Sequence, residues 1–383
     1  MSELWPLPED PVADEAVAFA RRARLAERYR ALDARPEFPR AEYRALGDAH
    51  LLGLTVPTAR GGRGLPAPRA AAVLFRLAHA SGTTFAKLAL QPEFGSVLGE
   101  HGSPELVERW YRPMLRGELL VGNQITEPSA GSDASALELE VARDGDDYVL
   151  DGTKSEAAFA ADAEAAIVYG RLSGARRPEG ITAFLVPQDL PGIRASLEAV
   201  DLGERWQRRG RVVYDHVRVP RSHRLGDEGA AFGYLKEELA RERGLLAAIY
   251  LGVARASWDE TVEHVGRRTV FGRRLADQQA VAFALAEDGA ELEADWLFTC
   301  RALTRLAADD GAGAETALAK VRASRAALRT LDHAIQFHGG AGYSGRLPHE
   351  QRWRDVRSGP IAHGPSEVLE AVAARRLWPS PRR

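Results

Sequence analysis

The chain has 383 residues, 45% of them hydrophobic, and a formal net charge of −3. That length is enough for two or three domains of roughly 150 residues each. Because the charge is nearly balanced and no basic stripe is interleaved with aromatic residues, we expect no nucleic acid among its partners.

The first third of the chain shows the apolar spacing of helices. Helical periodicity covers residues 14–32, 42–51, 67–80 and 84–101. A glycine-rich loop at 58–65 interrupts the pattern. Ser103, followed by Pro104, predicts a further helix start with the serine as N-cap. We therefore predict an N-terminal α-helical domain over residues 1–119.

The period changes to two after residue 137. Leu137, Leu139 and Val141 alternate with more polar or smaller neighbours, and an acidic glycine turn follows at 144–147. Further strand-like runs lie at 148–150, 167–169, 181–186 and 211–219. These runs predict a middle antiparallel β domain over residues 120–225.

Helical spacing then returns and continues almost to the end of the chain. Helices are predicted over residues 230–255, 257–268, 279–307 and 315–338. The predicted fold class is therefore α+β, with a C-terminal α-helical bundle over residues 226–383. Residues 340–345 match the pattern G-x-G-x-x-G, but that dinucleotide motif requires a preceding strand. Since a long helical stretch precedes it here, we reject the Rossmann interpretation.

Composition also bears on the compartment. The single cysteine, Cys300, can form no internal disulfide, which is typical of a reducing compartment. We expect it to fill space in an apolar helix; a reactive thiol is the alternative. The first residues show no basic segment before an apolar core, and no run approaches the ~18 apolar residues of a membrane span. We therefore expect a cytoplasmic protein with no membrane partner.

One segment stands out between the helical and the β-type sequence. Residues 122–133 join an apolar approach to the loop Pro-Ser-Ala-Gly-Ser-Asp. Small residues in such a loop expose backbone N–H groups, to which serine and aspartate oxygens can bond. The loop is suited to holding a phosphate or a flat polar ring, although many tight turns have a similar composition.

The sequence Thr-Glu-Pro-Ser-Ala-Gly-Ser-Asp at 126–133 resembles the signature of acyl-CoA dehydrogenases, which are FAD-dependent desaturases of acyl thioesters. The resemblance recurs in order at 152–154, 215–220, 268–272 with Gln279, 336–343, 348–350, 354–355 and 364–368. It implies the family's fold of a helical, a β and a second helical domain. It also implies FAD as cofactor, no metal ion, and a homo-oligomer, expected to be a homotetramer.

The resemblance assigns FAD contacts to two parts of the chain. The backbone of Ile125 and Thr126 is expected to face the flavin ring, with Ser132 beside its phosphates or the thioester tail. Arg268 is expected to reach the pyrophosphate, because a guanidinium fork suits that geometry. The remaining implied contacts are Phe271, Gln279, Gln336, Gly339 and Gly340. In the family the segment that matches Gln336 contacts the FAD of a neighbouring subunit. The alternative to FAD binding is that Arg268 is a surface cation and that Thr126 only forms a turn.

Three positions depart from the family pattern. Most members carry a Trp and a Thr beside the flavin where ungapped alignment places Glu156 and Ala158. A threonine that contacts FAD is replaced by Pro365, which has no N–H to donate. The third departure is His363, which occupies the position of the usual catalytic glutamate.

The reaction requires a base that takes the proton α to the thioester carbonyl. His363 could serve, since imidazole titrates near neutral pH, or it could be a loop residue with no such role. Glu242 is the second candidate because it falls within an apolar helical stripe and should be buried. Some family members place the base at the matching position, and we favour Glu242. The backbone N–H at His363 would still bind the carbonyl, and the resemblance implies substrate contacts at Ser132, Arg243 and Gly364.

We therefore predict an FAD-dependent oxidoreductase of the acyl-CoA dehydrogenase type. It would remove an α-proton and a β-hydride from an acyl-CoA or acyl carrier protein thioester. The expected electron acceptor is an electron-transfer flavoprotein or oxygen. Two alternatives remain open at this point, a flavin monooxygenase on the same fold and a catalytically silent acyl-CoA dehydrogenase-like binding protein.

Overall fold

The computed structural model describes residues 5–308 and 313–377. Its N-terminal part is helical, as predicted. The helices are α1 (Pro11–Arg22), α2 (Leu25–Ala34), α3 (Arg40–Asp48), α4 (Ala67–Ser81), α5 (Thr83–Leu90), α6 (Ser96–His101), α7 (Pro104–Leu106) and α8 (Arg112–Leu115). The predicted N-cap is confirmed, since Ser103 Oγ accepts the Leu106 N–H at 3.3 Å.

Two predicted N-terminal helices are each divided in the structure. The helix predicted over 14–32 is interrupted between α1 and α2, where Arg24 adopts a left-handed backbone conformation with φ of 53°. The helix predicted over 84–101 is interrupted by a 3₁₀ segment, Gln91–Gly95. Pro92 lies in that segment, and it has no N–H to continue an α-helical ladder. The 3₁₀ segment carries Phe94 to the candidate site described below.

The middle part is a β domain, as predicted. The strands are β1 (Val121–Gln124), β2 (Glu140–Asp144), β3 (Asp147–Ala157), β4 (Ala165–Leu172), β5 (Ile181–Pro187), β6 (Ile193–Leu197), β7 (Gly210–Val219) and β8 (Arg224–Leu225). Their order in the sheet is β6-β7-β3-β2-β4-β5-β8, and β1 also pairs with β4. Most pairs are antiparallel, but β1 and β2 both pair parallel with β4. Because β5 occupies the other edge of β4, the segment 125–139 between β1 and β2 must leave the sheet and return to the same edge.

The C-terminal part is a helical bundle with one small hairpin. Its elements are α9 (Ala231–Arg267), β9 (Thr269–Val270), β10 (Arg273–Arg274), α10 (Gln279–Ala307), α11 (Gly313–His338), α12 (Gly340–Tyr343), α13 (His349–Val356) and α14 (Ser366–Leu377). The predicted break between residues 255 and 257 is wrong, because α9 is continuous there. Ser257 is buried and accepts a hydrogen bond from Arg352 Nη1 at 2.9 Å instead of capping a helix. Residues 340–345 follow a helix, so the rejection of a Rossmann motif is confirmed.

Helix α9 is the central element of the helical core. Its residues 244–258 are buried on every face, which is typical of a helix surrounded by others. It packs against α4, α10 and α11. A Cβ at Gly252 would lie 2.2 Å from the Phe75 carbonyl oxygen, so glycine is required where α9 crosses α4. The first turns of α9 precede this core, and there Glu238 contacts Asn123 and Tyr169 of the β domain, whereas Glu242 and Arg243 contact His363.

Candidate active site

The two candidate bases lie beside each other. His363 Nδ1 is 3.2 Å from Glu242 Oε2, although 121 residues separate them in the chain. Glu242 is only 2% exposed. Its other oxygen, Oε1, is buried and has no hydrogen-bond partner among the described residues. The pair therefore offers one carboxylate oxygen held by an imidazole and one that is free to accept a proton.

A neighbouring aromatic ring fixes the imidazole. Phe94 stacks on His363 with ring centroids 5.1 Å apart and planes inclined by 25°. The carbonyl oxygen of Phe94 accepts a hydrogen bond from Asn123 Nδ2 at 2.9 Å. The site is consequently assembled from the 3₁₀ segment, β1, α9 and the loop after α13.

The predicted substrate contacts Arg243 and Gly364 lie at the same place. Arg243 Nε donates to the His363 carbonyl oxygen at 2.9 Å, and burial lowers the pKa of its guanidinium. Gly364 has a φ of +98°, and a Cβ there would lie 2.9 Å from Leu369 Cδ2. Only glycine suits that backbone. The third predicted contact, Ser132, is exposed on the loop between β1 and β2.

A buried ion pair holds the loop that begins at Ile125. Lys154 Nζ donates to Glu127 Oε1 at 2.7 Å and to the Ile125 carbonyl oxygen at 2.9 Å. Burial lowers the pKa of Lys154 to about 8, while the Glu127 carboxylate opposes that shift. Glu127 also accepts the N–H groups of Glu138 and Leu139 at 2.6 and 3.0 Å, so both ends of the loop are fixed by one side chain.

The backbone of the first loop residues is available to a ligand. The Thr126 carbonyl oxygen accepts the Ser155 N–H at 2.9 Å. The N–H groups of Ile125 and Thr126, in contrast, donate to no acceptor within residues 5–308 and 313–377. These free donors fit the polar edge of an isoalloxazine ring, the position that the sequence predicts for them.

The other predicted FAD residues form a surface at the ends of α9 and α11. Within the described ranges, the Arg268 guanidinium has neither an ion pair nor a hydrogen bond, so its charge is available to a phosphate. His264, one turn before it, stacks on His338 with centroids 4.2 Å apart, which joins Arg268 to the Gln336 segment. The exposed residues of this surface are Arg268, Phe271, Gln279, Gln336, Gly339 and Gly340.

The predicted FAD residues fall into two groups, the loop 125–133 and the Arg268 surface. No hydrogen bond or ion pair among the described residues joins the loop 125–133 to the Arg268 surface. Phe271 is 99% exposed at the tip of the β9–β10 hairpin, and Cβ atoms built on Gly339 and Gly340 meet nothing within 4 Å. The free N–H groups and the free guanidinium nevertheless fit the ring and the diphosphate of FAD.

The structure also shows the surroundings of Glu156 and Ala158, two of the positions that depart from the family pattern. Glu156 is exposed at a β-bulge with a φ of 53°. Its carboxylate lies 3.5 Å from Arg209 Nη1, and Arg209 also donates two hydrogen bonds to Asp201. Ala158 packs against the hydrophobic core. An ion pair thus stands at the position where the resemblance to the family implies an indole.

Two acids near Glu242 were not predicted as site residues. Glu238 lies one helical turn before it and accepts hydrogen bonds from Tyr169 Oη at 3.3 Å and Asn123 Nδ2 at 3.4 Å. Burial and the neighbouring Glu242 raise the pKa of Glu238 well above its usual range. Burial also raises the pKa of Glu93, whose oxygens bond to Thr55. The sequence could have indicated Glu238, because residues spaced i, i+4 on a helix, such as Glu238 and Glu242, lie on the same face.

The comparison with protein-family models covers most of the chain. The N-terminal, middle and C-terminal domain models of acyl-CoA dehydrogenase match residues 9–118, 122–217 and 229–378, respectively. In the described part of the chain, no helix combines the length and apolar character needed to cross a membrane.

Individual relatives agree with these models. The mouse mitochondrial short-chain specific acyl-CoA dehydrogenase is 32% identical over 348 residues, covering 90% of this chain and 84% of its own. Benzylmalonyl-CoA dehydrogenase from Aromatoleum aromaticum is 33% identical over 356 residues, covering 92% and 94%. Butyryl-CoA dehydrogenase from Megasphaera elsdenii has a similar structure, with a TM-score of 0.90, 25% identity and coverage of 97% and 99%. The chain belongs to the acyl-CoA dehydrogenase family of FAD flavoproteins, and it is an oxidoreductase of that type.

Proposed function

We propose that the protein oxidises an acyl thioester between its α and β carbons, with Glu242 as the base. The observation that carries this proposal is the free, buried Oε1 of a carboxylate whose Oε2 is already held by His363. A general base must present such an acceptor in a place where the substrate can reach it. In the proposed step Glu242 takes the α-proton, and the β-hydrogen leaves as hydride while the C=C bond forms. FAD supplies the hydride acceptor when it is bound.

We assign His363 a positioning role. Its ring is fixed between Phe94 and the Glu242 carboxylate, so it holds one oxygen and directs the other. The N–H of His363 donates to no acceptor among the described residues. That free donor supports the expectation that the thioester carbonyl binds there, because an enolate oxygen formed by proton loss gains from a preorganised N–H.

The surroundings of the base favour an acyl group that carries a hydrogen-bond donor. Successive contacts join Glu242 to His363, His363 to Phe94, Phe94 to Asn123, and Asn123 to Glu238. Glu238 lies one helical turn before Glu242, so these contacts surround the base. Buried acceptors without partners remain here at Glu242 Oε1 and Asn123 Oδ1. Glu242 Oε1 is needed for the α-proton, but an alkyl chain would leave Asn123 Oδ1 unpaired, whereas a hydroxyl or amino substituent would satisfy it. The thioester is carried by CoA or by the pantetheine arm of an acyl carrier protein.

The assembly and the electron acceptor complete the proposal. The Arg268 surface is exposed, and no hydrogen bond or ion pair among the described residues joins it to the loop at Ile125, which supports FAD sites completed between subunits of a homotetramer, the state typical of the family. An electron-transfer flavoprotein or oxygen would reoxidise the reduced flavin.

The test is a visible spectrum of the purified protein, followed by anaerobic addition of a panel of acyl-CoA thioesters. The panel pairs butyryl-CoA with its hydroxy- and amino-substituted analogues. Bleaching of the flavin band, strongest with a substituted member, is expected. Hydroxylated product formed in air would indicate the monooxygenase instead, and protein purified without any flavin would indicate the silent binding protein.

A further inference from the structure

A buried lysine lies behind the loop after α13 that carries His363. Lys320 of α11 is completely buried, and its Nζ donates to the carbonyl oxygens of Ala362 and Gly364, each at 2.6 Å. Among the described residues no carboxylate lies within ion-pair distance of it. Burial lowers the pKa of Lys320 to about 7. Burying an ammonium group without an anion is costly, so its contacts must offset a substantial desolvation penalty.

The carbonyl between those two is also held by a cation. Arg243 Nε donates to the His363 carbonyl oxygen at 2.9 Å. Three successive carbonyl groups, at residues 362–364, are therefore fixed by side chains from α9 and α11. In a planar trans peptide the N–H points opposite to the C=O of the preceding residue. Holding the Ala362 and His363 carbonyls consequently directs the N–H groups of His363 and Gly364 away from the two cations.

Those N–H groups have no other use in the structure. Neither His363 nor Gly364 donates a backbone hydrogen bond within the described part of the chain. Both residues also have positive φ, at 54° and 98°. A left-handed histidine is sparsely populated and persists only where its surroundings enforce it. The hydrogen bonds from Lys320 and Arg243 supply that constraint.

We propose that Lys320 is a positioning residue that aims the His363 N–H at the carbonyl oxygen of the thioester. The proposal rests on the thioester oxidation proposed above. The lysine contacts neither the substrate nor the base; it acts through the peptide group between Ala362 and His363. Its effect should therefore appear at the carbonyl oxygen, where charge develops when Glu242 removes the α-proton.

The experiment uses the flavin-loaded full chain and acetyl-CoA labelled with ¹³C at the carbonyl. Acetyl-CoA has no β carbon, so it can bind without being oxidised. Isotope-edited infrared spectroscopy should show the carbonyl band of the wild-type complex at lower frequency than in buffer. In Lys320→Met the band should return toward its buffer position, and flavin reduction by an oxidisable thioester should slow by roughly 10²-fold, the usual effect of losing one such donor.

Two further variants separate positioning from general stability. Lys236→Met makes the same change at an exposed lysine of α9 and should keep the wild-type band. Lys320→Gln retains an N–H donor and should restore part of the shift, which keeps the test valid if the methionine variant fails to fold. An unchanged band in folded Lys320→Met would overturn this proposal alone. Flavin-loaded wild-type protein that is reduced by no CoA or carrier-protein thioester would overturn the proposed function and this inference with it.

Discussion

His363 Nδ1 lies 3.2 Å from Glu242 Oε2, so the two residues that compete for the role of base in the sequence form one pair in the structure. A substitution at either residue therefore changes the environment of the other. The free Oε1 distinguishes them, because only Glu242 combines burial with an unused acceptor. This asymmetry assigns proton transfer to Glu242 and orientation to His363 in the proposed mechanism.

The first prediction concerns Glu242→Gln and His363→Ala. The glutamine keeps the size and the polarity of the side chain but cannot take the α-proton. We expect Glu242→Gln to bind thioester normally and to reduce its flavin about 10²–10⁴-fold more slowly in a single anaerobic turnover. His363→Ala should keep most of the rate, since the carboxylate and the backbone N–H both remain.

The opposite pattern would move the role of base to His363. Wild-type rates in both variants would contradict the oxidation proposed here. Among the described residues, Glu242 is the only carboxylate that is paired with His363 and keeps a free oxygen. Flavin absorbance followed by stopped flow resolves these outcomes directly.

The second prediction tests the cofactor surface. Arg268→Ala should leave the fold intact, because its exposed guanidinium forms no hydrogen bond or ion pair with the described residues, and should lower the flavin content of the purified protein. The control is Arg267→Ala, which removes an exposed neighbouring arginine paired with Glu263 at 2.9 Å. The ratio of flavin to protein absorbance after gel filtration is the measurement. Equal flavin content in the two variants would count against an Arg268–diphosphate contact.

Local patterns predicted the elements of the site better than its contacts. The apolar stripe of α9 correctly predicted that Glu242 is buried, because helical periodicity follows directly from the order of residues. The pairing of Glu242 with His363 could not be predicted that way. It depends on how the loop after α13 returns to α9, a tertiary contact across 121 residues.

The errors have local physical causes. A break in α9 was expected before Ser257, but α9 is continuous there and the Ser257 hydroxyl bonds to Arg352 of a later helix. Lys320 was missed because a lysine in a helix is usually solvated, and only the folded structure shows the carbonyl oxygens of residues 362 and 364 around it. Tertiary packing outweighed the local preference in both cases.

The third prediction concerns the ion pair that holds the loop at Ile125. Lys154→Met leaves the buried Glu127 carboxylate without its cation, and breaking a buried pair in this way costs about 3–5 kcal/mol. Urea unfolding should therefore show a clearly lower midpoint than in the exposed control Lys236→Met. Adding Glu127→Gln should recover part of the loss, because no uncompensated charge then remains. A double variant less stable than Lys154→Met would contradict this explanation.

The fourth prediction is a pH dependence that originates at Glu238. Burial and the neighbouring Glu242 raise the pKa of Glu238 above the usual 4.5, so the folded state binds a proton that the unfolded state releases. The stability contributed by this group therefore falls as pH rises above about 4.5 toward the raised pKa. Glu238→Gln removes that titration, so its melting temperature relative to wild type should increase between about pH 5 and about pH 8. Glu237→Gln, at the adjacent exposed glutamate, should show no such trend. A constant difference between Glu238→Gln and wild type across this range would show that Glu238 is ionised in the folded protein.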